Sequence, residues 1–344
     1  MEIANQMKDK FSIVITSINP PTEAVLEIAK NVRSDSCDFI VIGDSKSPAD
    51  FKAESCLFYS VEDQLKTDFS FASKCPTGHY ARKNVGYLIA IANKSSAIVE
   101  TDDDNIPLRK FWQPRRSRLS SHQIHKKGWV NVYKYFSDAL IWPRGLPLSE
   151  IHSPVPALAN TPVQDVYCPI QQGLANENPD VDAIYRLVLP LPFDFKDDVQ
   201  VSLMGGAWCP FNSQNTTWFP DAYPLLYLPA YCSFRMTDIW RSFVAQRIAW
   251  ANDWSVLFHE ATVYQKRNEH NLMKDFDDEV VGYLNNEKIC NVLGSLPLEP
   301  GVKNIPANMI SCYEALVELD VVGKEEIELL KAWLEDLSTA HNQN

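Results

Sequence analysis

The chain has 344 residues, 45% of them hydrophobic, enough for one large or two ordinary domains with a substantial core. Its 32 Lys and Arg against 44 Asp and Glu leave a net charge of −12, which excludes a generic nucleic-acid binder and confines basic chemistry to local patches. The eight cysteines stand singly with no Cys-x-x-Cys pair, and no apolar run approaches the ~18 residues that span a bilayer. A zinc site, a disulfide framework, a signal and a transmembrane anchor are therefore not expected, and a reducing, cytoplasmic setting is.

In chain order, the β-rich run from Phe11 to Ile18 predicts a strand, and Val25, Ile28, Ala29 and Val32 after Pro20-Pro21 fall at helical spacing. A second strand over Phe39 to Ile42 ends at Gly43-Asp44, and a third is expected around Leu57 to Tyr59. Val85, Leu88, Ile89 and Ala92 make another helical stripe, followed by a buried strand from Ala97 to Thr101. This alternation predicts an α/β fold with a doubly wound parallel sheet. From Leu108 to Trp129 come Arg109, Lys110, Arg115, Arg116, Arg118, Lys126 and Lys127 with no acid among them. That segment reads either as a basic flap beside the site, handling phosphate or an anionic acceptor, or as a solvated loop. Residues from Ile151 to Pro192, rich in Pro and Asn, predict irregular connections over the sheet. Met236 to Ala251 predicts a helix capped by Thr237 or Asp238, with Trp240, Phe243, Val244 and Arg247 on one side. The stripes Met309, Tyr313, Leu316, Val317 and Ile327, Leu330, Leu334, Leu337, separated at Gly323, predict a helical hairpin.

Chemistry concentrates where strands end. Asp102, Asp103 and Asp104 close the strand that precedes them, and three adjacent like charges become favourable only with a cation among them. Mg²⁺ or Mn²⁺, held by one or two carboxylates and by substrate phosphates, suits such a pattern; a solvated acidic turn is the alternative. Thr16-Ser17-Ile18-Asn19 and Asp44-Ser45-Lys46 end two other strands on the same expected edge, which makes a cradle for a base and ribose. Arg82 and Lys83, at a helix start, are suited to a phosphate. The histidines make no metal triad: His122 and His125 fall in the basic segment, and His259 and His270 lie eleven apart.

Several motifs keep one order: Ile40-Val41-Ile42-Gly43-Asp44, Tyr80 to Leu88, Glu100 to Asn105, Trp142-Pro143-Arg144-Gly145-Leu146-Pro147, Asn212 to Thr216, Leu228-Pro229-Ala230, Asp238 to Ser242, Gln246-Arg247 and Tyr264 to Asn268. Together they resemble the STELLO family of GT-A-type glycosyltransferase-like proteins over most of residues 11–275. More distantly the first half resembles the reversibly glycosylated polypeptides, the UDP-arabinopyranose mutases.

The resemblance implies a GT-A, Rossmann-like catalytic domain over residues 1–275 and a C-terminal helical extension over 276–344. It implies a UDP-sugar as donor and a glycan, lipid or protein acceptor, with Asp102 to Asp104 taking metal and diphosphate. Arg144 matches an arginine the mutases need, with its guanidinium turned to the sugar or diphosphate. The mutases' metal histidine aligns with Gln265, and His270 is a nearby substitute. Asp238 is the general base expected for an inverting transfer; its structural alternatives are the helix cap and a pair with Arg241. Plant STELLO proteins carry a membrane anchor and act with cellulose synthase in the Golgi. No anchor is expected here, so that role is not carried over, although peripheral association remains compatible with the chain. The competing functions are a UDP-sugar mutase and a non-catalytic nucleotide-sugar-binding partner of a polysaccharide-synthesis complex.

Overall fold

A computed structural model of the protein describes residues 10–267 and 271–342. Its first part follows the expected alternation. Strand β1 (Phe11–Thr16) leads to helix α1 (Glu23–Asn31), β2 (Cys37–Ile42), β3 (Leu57–Tyr59), the short helices α2 (Val61–Leu65) and α3 (Ser70–Lys74), then α4 (Lys83–Ala92) and β4 (Ile98–Thr101). These four strands pair in parallel in the order β3-β2-β1-β4, so the ends of β1, β2 and β4 lie along one edge of the sheet. After Pro20 and Pro21, Thr22 starts α1 by accepting the Val25 N–H at its hydroxyl.

The doubly wound parallel sheet expected of the first part of the chain holds over β1 to β4, with α1 and α4 on opposite faces; beyond β4 the sheet becomes mixed. Strand β5 (Asn105–Pro107) leaves the acidic turn, followed by β6 (Arg118–Ile124), β7 (Gly128–Trp129), the single-turn helix α5 (Tyr133–Phe136), β8 (Val163–Tyr167), β9 (Ile170–Asn176) and α6 (Ala183–Val188). Next come β10 (Gln200–Leu203), β11 (Ala207–Trp208), β12 (Asn215–Trp218), α7 (Thr237–Ala251) and β13 (Val256–Gln265). The order continues β4-β12-β9-β13-β10-β6-β8, with β12 antiparallel to both β4 and β9, and with β5 paired to β13. Strands β7 and β11 form a separate parallel ribbon. The result is a mixed α/β fold, consistent with a Rossmann-like glycosyltransferase fold carrying C-terminal helices.

Residues 151–192 are not irregular throughout: they hold β8, β9 and α6, and β9 lies in the middle of the sheet. Its Gln171, Gln172 and Gly173 disguise it. Gln172 is buried and satisfied, accepting from Asn212 N at 2.8 Å and donating to Gly173 O at 2.7 Å. A Cβ on Gly173 would run into the Asn215 amide and lie 2.7 Å from the His259 ring, so the residue that looks like a strand breaker lets two neighbouring side chains close over the backbone.

The C-terminal helices α8 (Leu272–Ser295), α9 (Ile305–Glu318) and α10 (Glu326–Asn342) complete the fold. Helices α9 and α10 pair as the two stripes predict, and α10 lies against α3 and α4. Its Asp336 accepts both free N–H groups at the start of α3, from Ser70 at 3.0 Å and Phe71 at 2.6 Å. With the sheet on one side and α10 on the other, α4 is buried from Lys83 to Ile91 rather than along one stripe.

The beginning of α7 also departs from expectation. Met236 holds the cap position and no side chain caps the helix, so neither Thr237 nor Asp238 does. Arg241 turns to Glu100 on β4, at 2.7 and 2.9 Å, and not to Asp238. Glu100 also accepts from the Trp218 indole at 2.8 Å and from the Tyr87 hydroxyl, which makes a closed, fully buried ionic cluster.

Candidate functional site

A cavity of about 450 Å³ opens at the edge where β1, β2 and β4 end. It gathers Thr16 and Ser17 from the end of β1, Asp44 and Ser45 after β2, Asp102 to Asp104 after β4, and Arg144, Asp238 and Gln265 from distant parts of the chain. Such a crevice at the carboxyl ends of parallel strands is where open α/β sheets bind ligands. With Arg82 also in the lining, predicted residues from seven segments of the sequence meet in one place. His270 lies outside the described residues.

Within the cradle, Asp44 is a template for backbone. Its carboxylate accepts N–H groups from Ser45 at 2.6 Å, Gly78 at 2.9 Å and His79 at 3.0 Å, and so ties the β2 loop to the segment leading into α4. Asp103 is similarly used: it accepts from Ser17 Oγ at 2.5 Å and Asn19 Nδ2 at 3.1 Å, joining the β1 and β4 loops.

Asp102 and Asp104 are less well compensated. Asp102 has one partner cation, Lys83, whose Nζ lies 3.0 Å away and also donates to Thr101 O at 2.7 Å. Burial still raises the Asp102 carboxyl above its ordinary range. Asp104 has no ion-pair partner among the described residues and accepts only the Gln265 amide, at 3.0 and 3.1 Å. Burial, then the Asp102 charge, push it up to about 7. With the Gln265 amide donating to Asp104, its Oε1 is buried and without a partner. The arrangement fits a hard cation that takes carboxylate and amide oxygens and completes its shell with substrate oxygens. It does not fit a cage of protein ligands alone, since among the described residues no three His, Cys, Asp or Glu side chains converge.

Arg82 and Lys83 do not offer the phosphate contact read from the sequence. The guanidinium of Arg82 is buried, donating to Gln64 Oε1 and to the carbonyls of Cys75 and Ala72, and Lys83 Nζ is spent beneath Asp102. Arg82, in the turn just before α4, still lines the cavity, but its guanidinium is turned to residues of α2 and of α3 and its C-terminal end. The basic segment also lies elsewhere: none of its residues lines the cavity, because after β5 the chain crosses to β6 near the far side of the sheet.

Arg144 does reach the cavity. Gly145, at φ 91°, allows its approach, since a Cβ there would fall 2.5 Å from Ile239. Yet the guanidinium is filled by protein. Asp180 accepts from Nε and Nη2, both at 2.8 Å, Asp238 accepts from Nη1 and Nη2 at 3.0–3.1 Å, and Arg235 O accepts from Nη1. The guanidinium expected to turn to the sugar or diphosphate is instead the centre of a carboxylate–guanidinium–carboxylate array of net charge −1. Asp238 accepts further from Ser213 N at 3.1 Å, and its backbone N–H donates to the Tyr80 hydroxyl at 3.1 Å. Against the cost of burial, Arg144 holds the Asp238 carboxyl down at about 2.

Asp180, Arg235 and Arg267 line the same cavity and escape the sequence reading. Asp180 lies in the stretch whose Pro and Asn content suggested a loop, and it meets Arg144 only through the fold. Arg235 pairs with Glu279 at 2.7 Å and Arg267 with Asp275 at 2.9 Å. Burial, then the nearby Arg235 charge, lower the Arg267 guanidinium. Crowded, partly desolvated guanidiniums of this kind gain from an incoming anion. Tyr80, His79 and Phe234 add an aromatic wall, with Phe234 edge-on to both other rings.

Among the described residues no helix is long and apolar enough to cross a membrane. Residues 235–343 match the family model "STELLO glycosyltransferases". Two Arabidopsis thaliana proteins, "Probable glycosyltransferase STELLO2" and "Probable glycosyltransferase STELLO1", are each 27% identical to this chain over 94% and 97% of its length. The alignments cover 44% and 45% of those proteins, so the chain spans less than half the length of these curated relatives. A solved structure described as "Crystal Structure of a Mycobacterial Protein" aligns over 81% of this chain and 74% of its own at 9% identity and a TM-score of 0.40, too low to bear on the fold. The family-model match over residues 235–343 and the 27% identity along nearly the whole chain make this chain similar to the STELLO glycosyltransferases.

Proposed function

We propose that the protein is a glycosyltransferase that uses a nucleotide sugar, UDP-linked by the resemblance of its motifs, together with Mn²⁺ or Mg²⁺. The observation that carries this reading is the under-compensated pair Asp102 and Asp104 at the end of β4, inside a cavity of about 450 Å³. Acids whose carboxyls are raised by burial and by neighbouring carboxylates bind a divalent cation in exchange for that strain. Asp102, Asp104 and Gln265 Oε1 would hold the cation, and the donor's diphosphate would supply its remaining oxygens. When bound, the cation acts as a Lewis acid that stabilises the departing diphosphate.

The chain's own residues divide the remaining work. The loops at Thr16 to Asn19 and Asp44 to Lys46 take the base and ribose through hydroxyl and backbone groups. Arg235 and Arg267 take over the phosphate contact expected of Arg82 and Lys83. The Asp180–Arg144–Asp238 array, with its net negative charge, favours the positive charge that develops at the anomeric carbon during transfer. Asp238 acts as a positioning residue for Arg144 in this reading, because a carboxylate held at about 2 has little affinity for an acceptor proton.

Incubation with a panel of nucleotide sugars, Mn²⁺ and a mixture of glycan acceptors, with mass spectrometry of the products, tests the proposal. The expected result is cation-dependent release of UDP from one donor, by transfer or by slow hydrolysis, that chelator abolishes. Consumption of no donor, or consumption that ignores the chelator, would contradict it.

A further inference from the structure

A second cavity, of about 220 Å³, lies between the basic segment and the sheet, lined by residues of β9, β10, β12 and β13. A sheet face covered only by its own connecting loop is expected to be apolar, since buried polar groups cost free energy unless paired. Here the positions on those strands are Gln171, Gln200, Asn215, Thr217, His259 and Thr262, with Leu257 and the carboxylate of Glu260 beside them. Several brace the walls. Asn215 Nδ2 donates to Leu174 O at 2.9 Å and Thr262 Oγ1 at 2.8 Å, and Gln171 Nε2 donates to Arg116 O at 2.8 Å, which fastens the basic segment to β9.

Over this polar floor sits Arg115. Its guanidinium lies 4.9 Å from the Phe11 ring centre and 5.1 Å from that of Phe111, with Nε donating to Thr217 Oγ1 at 3.3 Å and Nη2 to Phe111 O at 2.7 Å. Among the described residues no carboxylate is within ion-pairing distance of it, and Nη1 makes no hydrogen bond to protein. Burial lowers Arg115 to about 10, as befits a cation that has lost water without gaining a counter-charge. Of the other charges, Lys110 pairs with Glu260 at 2.7 Å, Glu260 also accepts the Asp198 N–H, burial lowers His259 to about 4, leaving it neutral, and Arg116 adds a second guanidinium to the lining.

We propose that this cavity is an anion site, separate from the strand-edge cavity, in which Arg115 receives the phosphate group of free phosphate or of a small phosphate ester. The guanidinium is held in place by two rings and two acceptors, and its remaining N–H groups supply charge-assisted hydrogen bonds, with the surrounding hydroxyls and amides as neutral donors.

Calorimetric titration with inorganic phosphate and with glycerol 3-phosphate, at constant ionic strength in chloride, tests this on the wild type, Arg115→Gln and Arg267→Gln. Saturable binding that weakens about tenfold or more in Arg115→Gln and persists in Arg267→Gln is expected. Preference for glycerol 3-phosphate assigns the site to an ester, and equal or weaker binding of it to free phosphate. No saturable binding of either probe, or loss in Arg267→Gln alone, overturns the proposal. If Arg115→Gln does not fold, phosphate-soaked wild-type crystals decide: density within hydrogen-bonding distance of Arg115 supports the site, and its absence there sinks it.

Discussion

Glu100 and Asp104 stand four residues apart at the end of the same strand, in the run Glu-Thr-Asp-Asp-Asp, and the fold treats them in opposite ways. Glu100 is fully buried and has a bidentate Arg241, the Trp218 indole and the Tyr87 hydroxyl around it, so every lone pair faces a donor. Asp104 is half-buried, faces two other aspartates and has one amide to satisfy it. The first acid is finished by the protein. The second is left with a single amide donor. Compensation, rather than acidity, separates the structural carboxylate from the candidate ligand, and only the three-dimensional arrangement displays it.

Breaking the compensated acid has the largest expected effect. Glu100→Ala strands the Arg241 guanidinium in the core, and removing one partner of a buried pair costs about 3–5 kcal/mol. Equilibrium denaturation should register that loss. A change under about 1 kcal/mol would mean that Glu100 is no better satisfied than its neighbours and that the contrast is empty.

The array across the cavity gives the next effect. Asp238→Asn removes one of the two carboxylates that orient Arg144, and misplacement of a group at a reacting centre can cost on the order of 10²-fold in rate. Steady-state kinetics should show that fall in kcat with KM for the donor nearly unchanged, because the proposed nucleotide contacts lie elsewhere in the cavity. An unchanged kcat would return Asp238 to a purely structural role.

Much of the strand-edge site is legible in the sequence because β1, β2 and β4 are short apolar runs that stop at polar residues, and parallel pairing then puts those stops on one edge. The departures share a cause. Gln171, Gln172 and Gly173 hide a central strand because their polar groups find partners only across the sheet. Arg82 looks like a free cation until Gln64 and the carbonyls of Ala72 and Cys75 take up its guanidinium, and the basic segment looks adjacent to the acids until β6 is seen near the other side of the sheet. Asp180 is 36 residues from Arg144 and carries no local signal of the contact.

A smaller effect separates the two acids by pH. The folded state holds the Asp104 proton up to about 7, whereas the ordinary value is 3.8, so the folded state binds more protons in that window. Stability of the cation-free protein should therefore fall as pH rises from about 4 to about 7. Glu326, pushed to about 7, and Asp182, pushed to about 6, act with the same sign, so the difference between wild type and Asp104→Asn isolates this residue. At pH 8 the variant should be more stable by on the order of 1 kcal/mol, and the gap should shrink toward pH 4. A variant that is equally stable at both pH values would show that Asp104 carries no strain.

The most direct test of the central claim is calorimetric titration of UDP with and without Mn²⁺ on the wild type, Asp102→Asn and Asp104→Asn. The account predicts that Mn²⁺ tightens UDP binding at least about tenfold in the wild type, since cation and diphosphate complete each other's coordination. Both variants should remain folded and lose that enhancement. The same enhancement in the variants as in the wild type would contradict it and reduce the three aspartates to an acidic turn.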